Sequence, residues 1–283
     1  MIGVSTLLEN FETITEAPGG VQRVREIILD LAVRGQLVPA SNTVETAKEL
    51  LTRASEQAQA LSQKKSRKAD NGSQEHGYLM PQVPSHWEVT PAGSLGQLVR
   101  GVTYAKADAS LEPAQGKIPL LRANNIDGTV NYESLVHIGQ EKVKAEQILR
   151  RGDILICTSS GSQALVGKAA LITVDRPATF GAFCAVFRPL LSETVPYMAL
   201  YFQSPLYRRA ISKVSRGIGI NNLRVGDILQ LQIPLPPLVD QVRIVAKIDE
   251  LLSMCEQLDS AIRNRTNIAF KLAAEVAHLV EVG

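Results

Sequence analysis

Apolar residues recur every three or four positions through the C-terminal part of the chain. From Ile244 to Leu279 this spacing continues without Gly or Pro, with one polar break at Arg265. It predicts one helix over residues 239–280, about 60 Å long. Such a narrow apolar seam is typical of helices that pair with each other, although a helix lying along its own domain is the alternative. The residues predicted to form this dimerisation seam are Ile248, Leu251, Cys255, Leu258, Ile262, Leu272, Val276 and Leu279.

The N-terminal part of the chain also has helical periodicity. Apolar residues from Val21 to Leu31 are three or four positions apart and predict a helix that ends before Gly35. Residues 44–61 repeat the pattern and predict a second, weaker helix.

Between these flanks, short apolar runs bounded by Gly, Pro and Asp replace the helical pattern. Residues 118–121, 152–157, 168–174 and 183–187 predict strands, whereas residues 197–210 predict a helix. We therefore expect an α+β fold, in which one mixed α/β domain is flanked by long helices that form antiparallel or coiled-coil pairs.

Charge separates the same three regions. The predicted boundaries are residues 1–83 for the N-terminal helical region and linker, 84–236 for the mixed domain and 237–283 for the C-terminal helix. Their net charges are −1, +5 and −2, although the whole chain carries only +2. The middle region is therefore the part suited to a polyanionic partner.

Composition restricts the class of protein. The chain is 45% hydrophobic and 20% charged, as expected for a folded globular protein. It has no apolar run long enough to span a bilayer, and Glu9, Glu12 and Glu16 replace the basic start of an export signal. Three separated cysteines without a C-x-x-C pair fit a reducing compartment. We expect a soluble cytoplasmic protein.

Signatures of catalysis are missing from the sequence. The four histidines are scattered, without the spacing of metal ligands. Residues 161–169 resemble a phosphate-binding loop, but five residues separate its glycines and Ala169 replaces the magnesium-binding hydroxyl. We predict no catalytic residue, no metal site and no cofactor bound by this chain.

The middle region instead contains polar clusters that mix base-reading with phosphate-reading side chains. Arginine can bind guanine, asparagine matches the edge of adenine, and hydroxyl and ammonium groups bind phosphates. Each cluster alone is more typical of turns, but together on one basic domain they favour a DNA-binding surface. The predicted DNA-binding residues are Arg100, Tyr104, Lys106, Arg122, Asn124, Asn125, Ser160, Lys168, Asn221, Asn222 and Arg224.

Several of these segments occur in an order that resembles a known family, the DNA specificity subunits of type I restriction-modification systems. The helical segments at residues 31–37 and 239–245 resemble the spacer helices of the same subunits. The segments that resemble the family's target recognition domain are residues 100–104, 120–126, 158–162, 166–168, 180–184, 219–222 and 233–238.

The resemblance implies a non-catalytic subunit that selects a double-stranded DNA site. Its implied partners are a modification subunit, which binds S-adenosylmethionine and methylates adenine, and a motor-nuclease restriction subunit. The usual subunit has two recognition domains, whereas this chain has one and resembles a half-subunit. We therefore expect a homodimer that reads two inverted half-sites separated by a gap.

Two other functions remain open at the level of the sequence. The modest net charge and the long helix are also compatible with a coiled-coil scaffold or regulator whose α+β domain binds another protein. An enzyme with an unfamiliar site is the third hypothesis, which the missing nucleophile, metal and phosphate signatures disfavour.

Overall fold

The computed structural model describes residue 9 and residues 11–41, 45–62, 81–214 and 222–282. The α-helices are α1 (Phe11–Glu16), α2 (Gly20–Val33), α3 (Ala47–Ser62), α4 (Val195–Gln203), α5 (Pro205–Val214), α6 (Val225–Leu229) and α7 (Leu238–Val282). The strands are β1 (Glu88–Pro91), β2 (Gly96–Arg100), β3 (Lys117–Leu121), β4 (Ile126–Asp127), β5 (Thr129–Val130), β6 (Val136–Gly139), β7 (Ile154–Cys157), β8 (Ala169–Leu171), β9 (Thr179–Phe180), β10 (Cys184–Pro189) and β11 (Gln232–Leu235). The predicted α+β fold and long C-terminal helix are confirmed.

Two sheets form the centre of the molecule. The larger is antiparallel with the strand order β2-β10-β7-β8, and all four residues of β7 are buried, as expected for an apolar central strand. The smaller has the order β6-β3-β9, in which β3 and β9 are parallel. Strand β1 pairs with β11, so the two ends of the middle region meet. The hydroxyl of Tyr197 donates to the carbonyl of Pro234 at 2.8 Å and fixes α4 to this pair.

One hydrophobic core joins the flanking helices to the larger sheet. Ile28 of α2 and Ile248 of α7 belong to the same buried cluster as Phe187 of β10 and Tyr201 of α4. The first half of α7 therefore packs along its own chain. From Arg263 to His278 every side chain is exposed. None of the helices in the described ranges combines the length and the apolar character needed to cross a membrane.

The helix predicted over residues 197–210 is two helices. Ser204 is extended, with φ −74° and ψ 154°, because a residue that precedes proline is disfavoured in the helical region. Its hydroxyl accepts a hydrogen bond from the N–H of Tyr207 at 3.2 Å and so caps the second helix. The apolar pattern continues across this turn, so the spacing alone does not indicate that one helix ends and a second begins.

Asp240 fastens the start of α7 to the segments beside it. Its carboxylate accepts hydrogen bonds from the Ser41 N–H at 3.1 Å and from Arg243 at 3.3 Å, and lies 3.1 Å from His86 Nε2. Burial acts to raise the pKa of Asp240, but the hydrogen bonds from Ser41 and His86 outweigh it and hold the pKa below its ordinary value. The charged form is therefore the one that the fold stabilises.

The depressed pKa predicts a pH-dependent contribution to stability. Such a carboxyl stabilises the fold above its unfolded pKa, about 3.9, and loses this effect as the pH falls through the lower folded value. We expect Asp240→Asn to destabilise the protein at neutral pH, and the difference from wild type to shrink below about pH 4. Urea unfolding across this range measures it, with exposed Asp249→Asn as the control. A difference independent of pH would contradict the assignment.

Candidate nucleic-acid interface

A cleft of about 880 Å³ is lined by residues of both sheets and of the loops beside them, which are far apart in sequence. We call it the recognition cleft. It contains five of the predicted DNA-binding residues: Tyr104, Lys106, Arg122, Asn124 and Ser160. Its other lining residues are Val102, Thr103, Ala109, Ser110, Leu111, Ala123, Val136, Leu165, Gly181, Ala182, Phe183 and Cys184.

Backbone hydrogen bonds between neighbouring segments hold the walls of the cleft. The N–H of Val102 donates to the carbonyl of Phe180 at 2.8 Å, and the N–H of Gly181 donates to Leu121 at 2.9 Å. A Cβ at Gly101 would lie 2.1 Å from the Gly181 carbonyl oxygen, so only glycine permits this close approach. The segment that carries Tyr104 and Lys106 is thereby fixed against the turn before β10.

Arg122 lines the recognition cleft and carries a side-chain donor without a partner. Its side-chain Nε is buried and has no hydrogen-bond partner among the described residues. Its backbone N–H donates to Asn125 Oδ1 at 2.9 Å, so the main chain at this position is fixed. A buried donor without a partner is unfavourable, and an acceptor supplied by a ligand would relieve this. The guanidinium is suited to a base edge or a phosphate.

The side chain of Asn125, a predicted DNA contact, is hydrogen-bonded within its own loop. The residue is 2% exposed, and its Nδ2 donates to the carbonyls of Asn131 at 3.1 Å and Glu133 at 3.2 Å. Both amide donors and the oxygen are therefore engaged in closing the loop around residues 122–133. The neighbouring Asn124 is exposed and lines the cleft, so its amide is the one open to a ligand.

Lys168 and Arg100 are predicted DNA-binding cations that lie outside the cleft lining. Lys168 Nζ forms an ion pair of 2.6 Å with Asp127, whose side chain is 85% exposed. Arg100 is exposed at the end of the edge strand β2, and its carbonyl accepts a hydrogen bond from Gln147 Nε2 at 3.1 Å. The charge of Lys168 is thus partly compensated, whereas the side chain of Arg100 extends from an edge.

The segment that begins at Asn222 lies beside the cleft residue Ser160. Asn222 forms an isolated antiparallel bridge with Ser159, and the N–H of Leu223 donates to Thr158 at 2.8 Å. Asn222 and Arg224 are exposed. Asn221 lies outside the described residues, so its predicted role stays a prediction.

Sequence reasoning did not single out two exposed large apolar residues of the cleft. Leu111 is 74% exposed and Phe183 is 69% exposed. The sequence pattern predicts Phe183 inside a strand, but the strand begins at Cys184 and Phe183 belongs to the preceding turn. The Gly181-Ala182 pair before it was the available signal for that turn.

The thiols near the cleft lack the character of nucleophiles. Burial, assisted by the neighbouring Cys157, raises the pKa of Cys184 well above its usual range. Cys157 is also raised in pKa, chiefly by burial. Within the described ranges, no group of three or more His, Cys, Asp and Glu side chains is placed to hold a metal ion.

The predicted dimerisation seam divides into a covered half and an uncovered half. Ile248 and Cys255 are buried in the core of their own chain, where a second copy cannot reach them. Leu251, Leu258 and Ile262 are half-buried and pack against the same core. By contrast, Leu272 is 65% and Val276 is 52% exposed. The side chain of Leu279 lies outside the part of the chain that the structure describes.

Comparison with known proteins gives consistent matches. A family model described as the type I restriction modification DNA specificity domain matches residues 84–266. The chain is 38% identical over 179 residues to the type I restriction enzyme EcoKI specificity subunit of Escherichia coli strain K12, covering 63% of this chain and 38% of that subunit. It is 28% identical over 272 residues to the EcoAI specificity subunit of Escherichia coli, covering 94% of this chain and 45% of that subunit.

The similarity extends to solved structures. A chain from a structure that describes complex assembly and conformational transition of the type I R-M system matches with a TM-score of 0.51 and 17% identity, over 95% of this chain and 55% of that chain. At this identity the likeness is one of fold. The chain spans less than half the length of the two curated relatives above.

Proposed function

The chain belongs to the type I restriction-modification DNA specificity family, and from this premise we propose that it selects the DNA site for a modification and restriction complex. In this role it catalyses no reaction itself. A modification subunit supplies S-adenosylmethionine and methylates adenine, and a restriction subunit joins the complex for cleavage. The target is double-stranded DNA.

The recognition cleft is the observation that carries this proposal. Tyr104, Lys106, Arg122, Asn124 and Ser160 come from three separate segments and converge on one cleft. This combination supplies cations and hydroxyls for phosphates, and a guanidinium and an amide for base edges. A scaffold that binds only protein gives no reason for these donors to converge. The middle region also carries the positive charge of the chain, which supports association with DNA.

Methylation mapping tests the proposed function directly. The chain is co-expressed with its modification subunit in a host without adenine methylation, and methylated adenines are mapped across the genome. We expect methylation at one defined sequence, and none when either protein is expressed alone. Methylation without sequence preference, or methylation by this chain without its partner, would contradict the proposal. A stable complex that neither binds DNA nor methylates it would favour the scaffold function.

We further propose that two copies pair through the uncovered half of α7. Ile268, Leu272 and Val276 are four residues apart, form one stripe on the helix and are 67%, 65% and 52% exposed. No described residue of the same chain covers this stripe. The same stripe on a second copy would bury it and remove it from water. Pairing about a twofold axis sets two recognition clefts against inverted half-sites.

A charge introduced in this stripe should separate the two copies. We expect Leu272→Asp to halve the mass measured by light scattering at a concentration where wild type is dimeric, because an unpaired carboxylate would be buried in the interface. Asn267→Asp adds the same charge on another side of the helix and should leave the dimer intact. An unchanged mass for Leu272→Asp, or a monomeric wild type, would exclude this interface.

A further inference from the structure

Two large apolar side chains of the recognition cleft, Phe183 and Leu111, are exposed on fixed backbone. The carbonyl of Phe183 accepts hydrogen bonds from the N–H groups of Thr158 at 2.9 Å and Ser159 at 3.1 Å. Leu111 follows Ser110, whose backbone N–H and carbonyl both bond to His137, at 2.9 and 2.7 Å. Both side chains are therefore exposed even though hydrogen bonds anchor the backbone of their segments. Folding fixes the position of two apolar groups that it does not bury.

These apolar groups share the cleft with hydrogen-bond donors. Arg122 brings a guanidinium whose Nε has no partner among the described residues, and Asn124 brings an exposed amide. In the major groove, an A·T pair presents the N7 acceptor and N6 donor of adenine, the O4 acceptor of thymine and the thymine C5-methyl group. An amide, a guanidinium and an apolar surface are the complements of these features.

We propose that Phe183 and Leu111 read thymine methyl groups in the major groove and so select A·T pairs at defined positions of the target. The inference rests on the proposed function, because it names how that same cleft discriminates sequence. A membrane or an apolar peptide fits the pair less well, since Lys106, Arg122 and the basic middle region favour a polyanion. Each side chain then loses its contact with water when DNA binds.

Deoxyuridine substitution tests this assignment, because it removes only the methyl group. Duplexes of the mapped target are made with each thymine replaced in turn, and the complex with the modification subunit is titrated against them. One buried methyl group corresponds to an affinity loss of about fourfold. We expect wild type to show this loss at one or more thymines. Phe183→Ala or Leu111→Ala should bind the thymine and deoxyuridine forms equally at the affected position.

Val174→Ala is the matched control, since Val174 is an exposed apolar residue of the same region that does not line the cleft. It should keep the wild-type response to every deoxyuridine. Equal thermal unfolding of all variants shows that they are folded. Two results would overturn this inference without affecting the proposed function. One is a wild type that binds its target selectively but loses no affinity with any deoxyuridine. The other is a set of Phe183 and Leu111 variants that keep the full wild-type loss. A wild type with no selective binding would overturn the proposed function instead.

Discussion

We expect the replacement of Asp153 by alanine to lower the free energy of unfolding by about 3–5 kcal/mol. Asp153 is 1% exposed and binds Arg188 through two hydrogen bonds, Nε to Oδ1 and Nη2 to Oδ2, each 2.7 Å long. The variant leaves the arginine charge partly buried without its counterion. Removal of one partner of a buried ion pair is strongly destabilising, whereas replacement of both partners by apolar residues is often close to neutral.

The same ion pair holds the strands next to the recognition cleft. Arg188 lies in β10 and also donates to the carbonyls of Glu146 at 3.3 Å and Ile148 at 3.1 Å. Asp153 precedes β7 and accepts from the N–H of Arg150 at 2.9 Å. Loss of the carboxylate therefore loosens the connection between the central strands and the 146–150 segment. We expect lower DNA affinity only where the variant is partly unfolded.

Urea unfolding of the purified chain, followed by circular dichroism, measures this effect. Asp175→Ala removes an exposed carboxylate in the same region and should change stability by less than about 0.5 kcal/mol. If Asp153→Ala is insoluble, Asp153→Asn takes its place, because it keeps the shape of the side chain and part of its hydrogen bonding. Its free energy of unfolding should be lower than that of wild type but high enough to measure. A loss below about 1 kcal/mol for Asp153→Ala would show that the pair contributes no more than an exposed one.

The helices could be predicted because their signal is local. The spacing from Ile244 to Leu279 determines an apolar seam irrespective of what covers it, and α7 follows it from Leu238 to Val282. The partner of the seam could not be predicted in the same way. Burial of Ile248 and Cys255 depends on contact with α2, more than 200 residues earlier in the chain. Periodicity carries no information about such a contact.

Residues of the candidate site were predicted from their chemical type. Type alone does not indicate which of Asn124 and Asn125 has a side chain that is open to a ligand. The two residues are adjacent and of the same type, but the side-chain amide of Asn125 donates to the carbonyls of Asn131 and Glu133. Only the folded loop brings these carbonyls near. Phe183 shows the opposite error. An apolar residue beside a strand is normally assigned to the core, and its exposure follows from a turn whose geometry depends on hydrogen bonds to residues 158 and 159.

Arg122→Ala is the substitution that we expect to affect site selection most. If the guanidinium binds a base edge, affinity for the cognate duplex should fall by about 1–3 kcal/mol, while affinity for unrelated DNA changes little. The expectation follows from the position of Arg122 in the cleft lining and from its Nε, a donor that the described residues leave unbonded. Arg122→Lys keeps the charge but not the forked donor, so it should restore little of the selectivity.

Titration of the complex with the modification subunit at several salt concentrations separates the two possible roles of Arg122. Arg151→Ala removes an equal charge from an exposed position outside the cleft lining and serves as the control. A phosphate contact at residue 122 would weaken cognate and unrelated duplexes alike and reduce the slope against salt by about one unit. A base contact would weaken the cognate duplex selectively. The ratio of the two affinities therefore distinguishes recognition of sequence from neutralisation of charge, because only recognition depends on the bases that face the cleft.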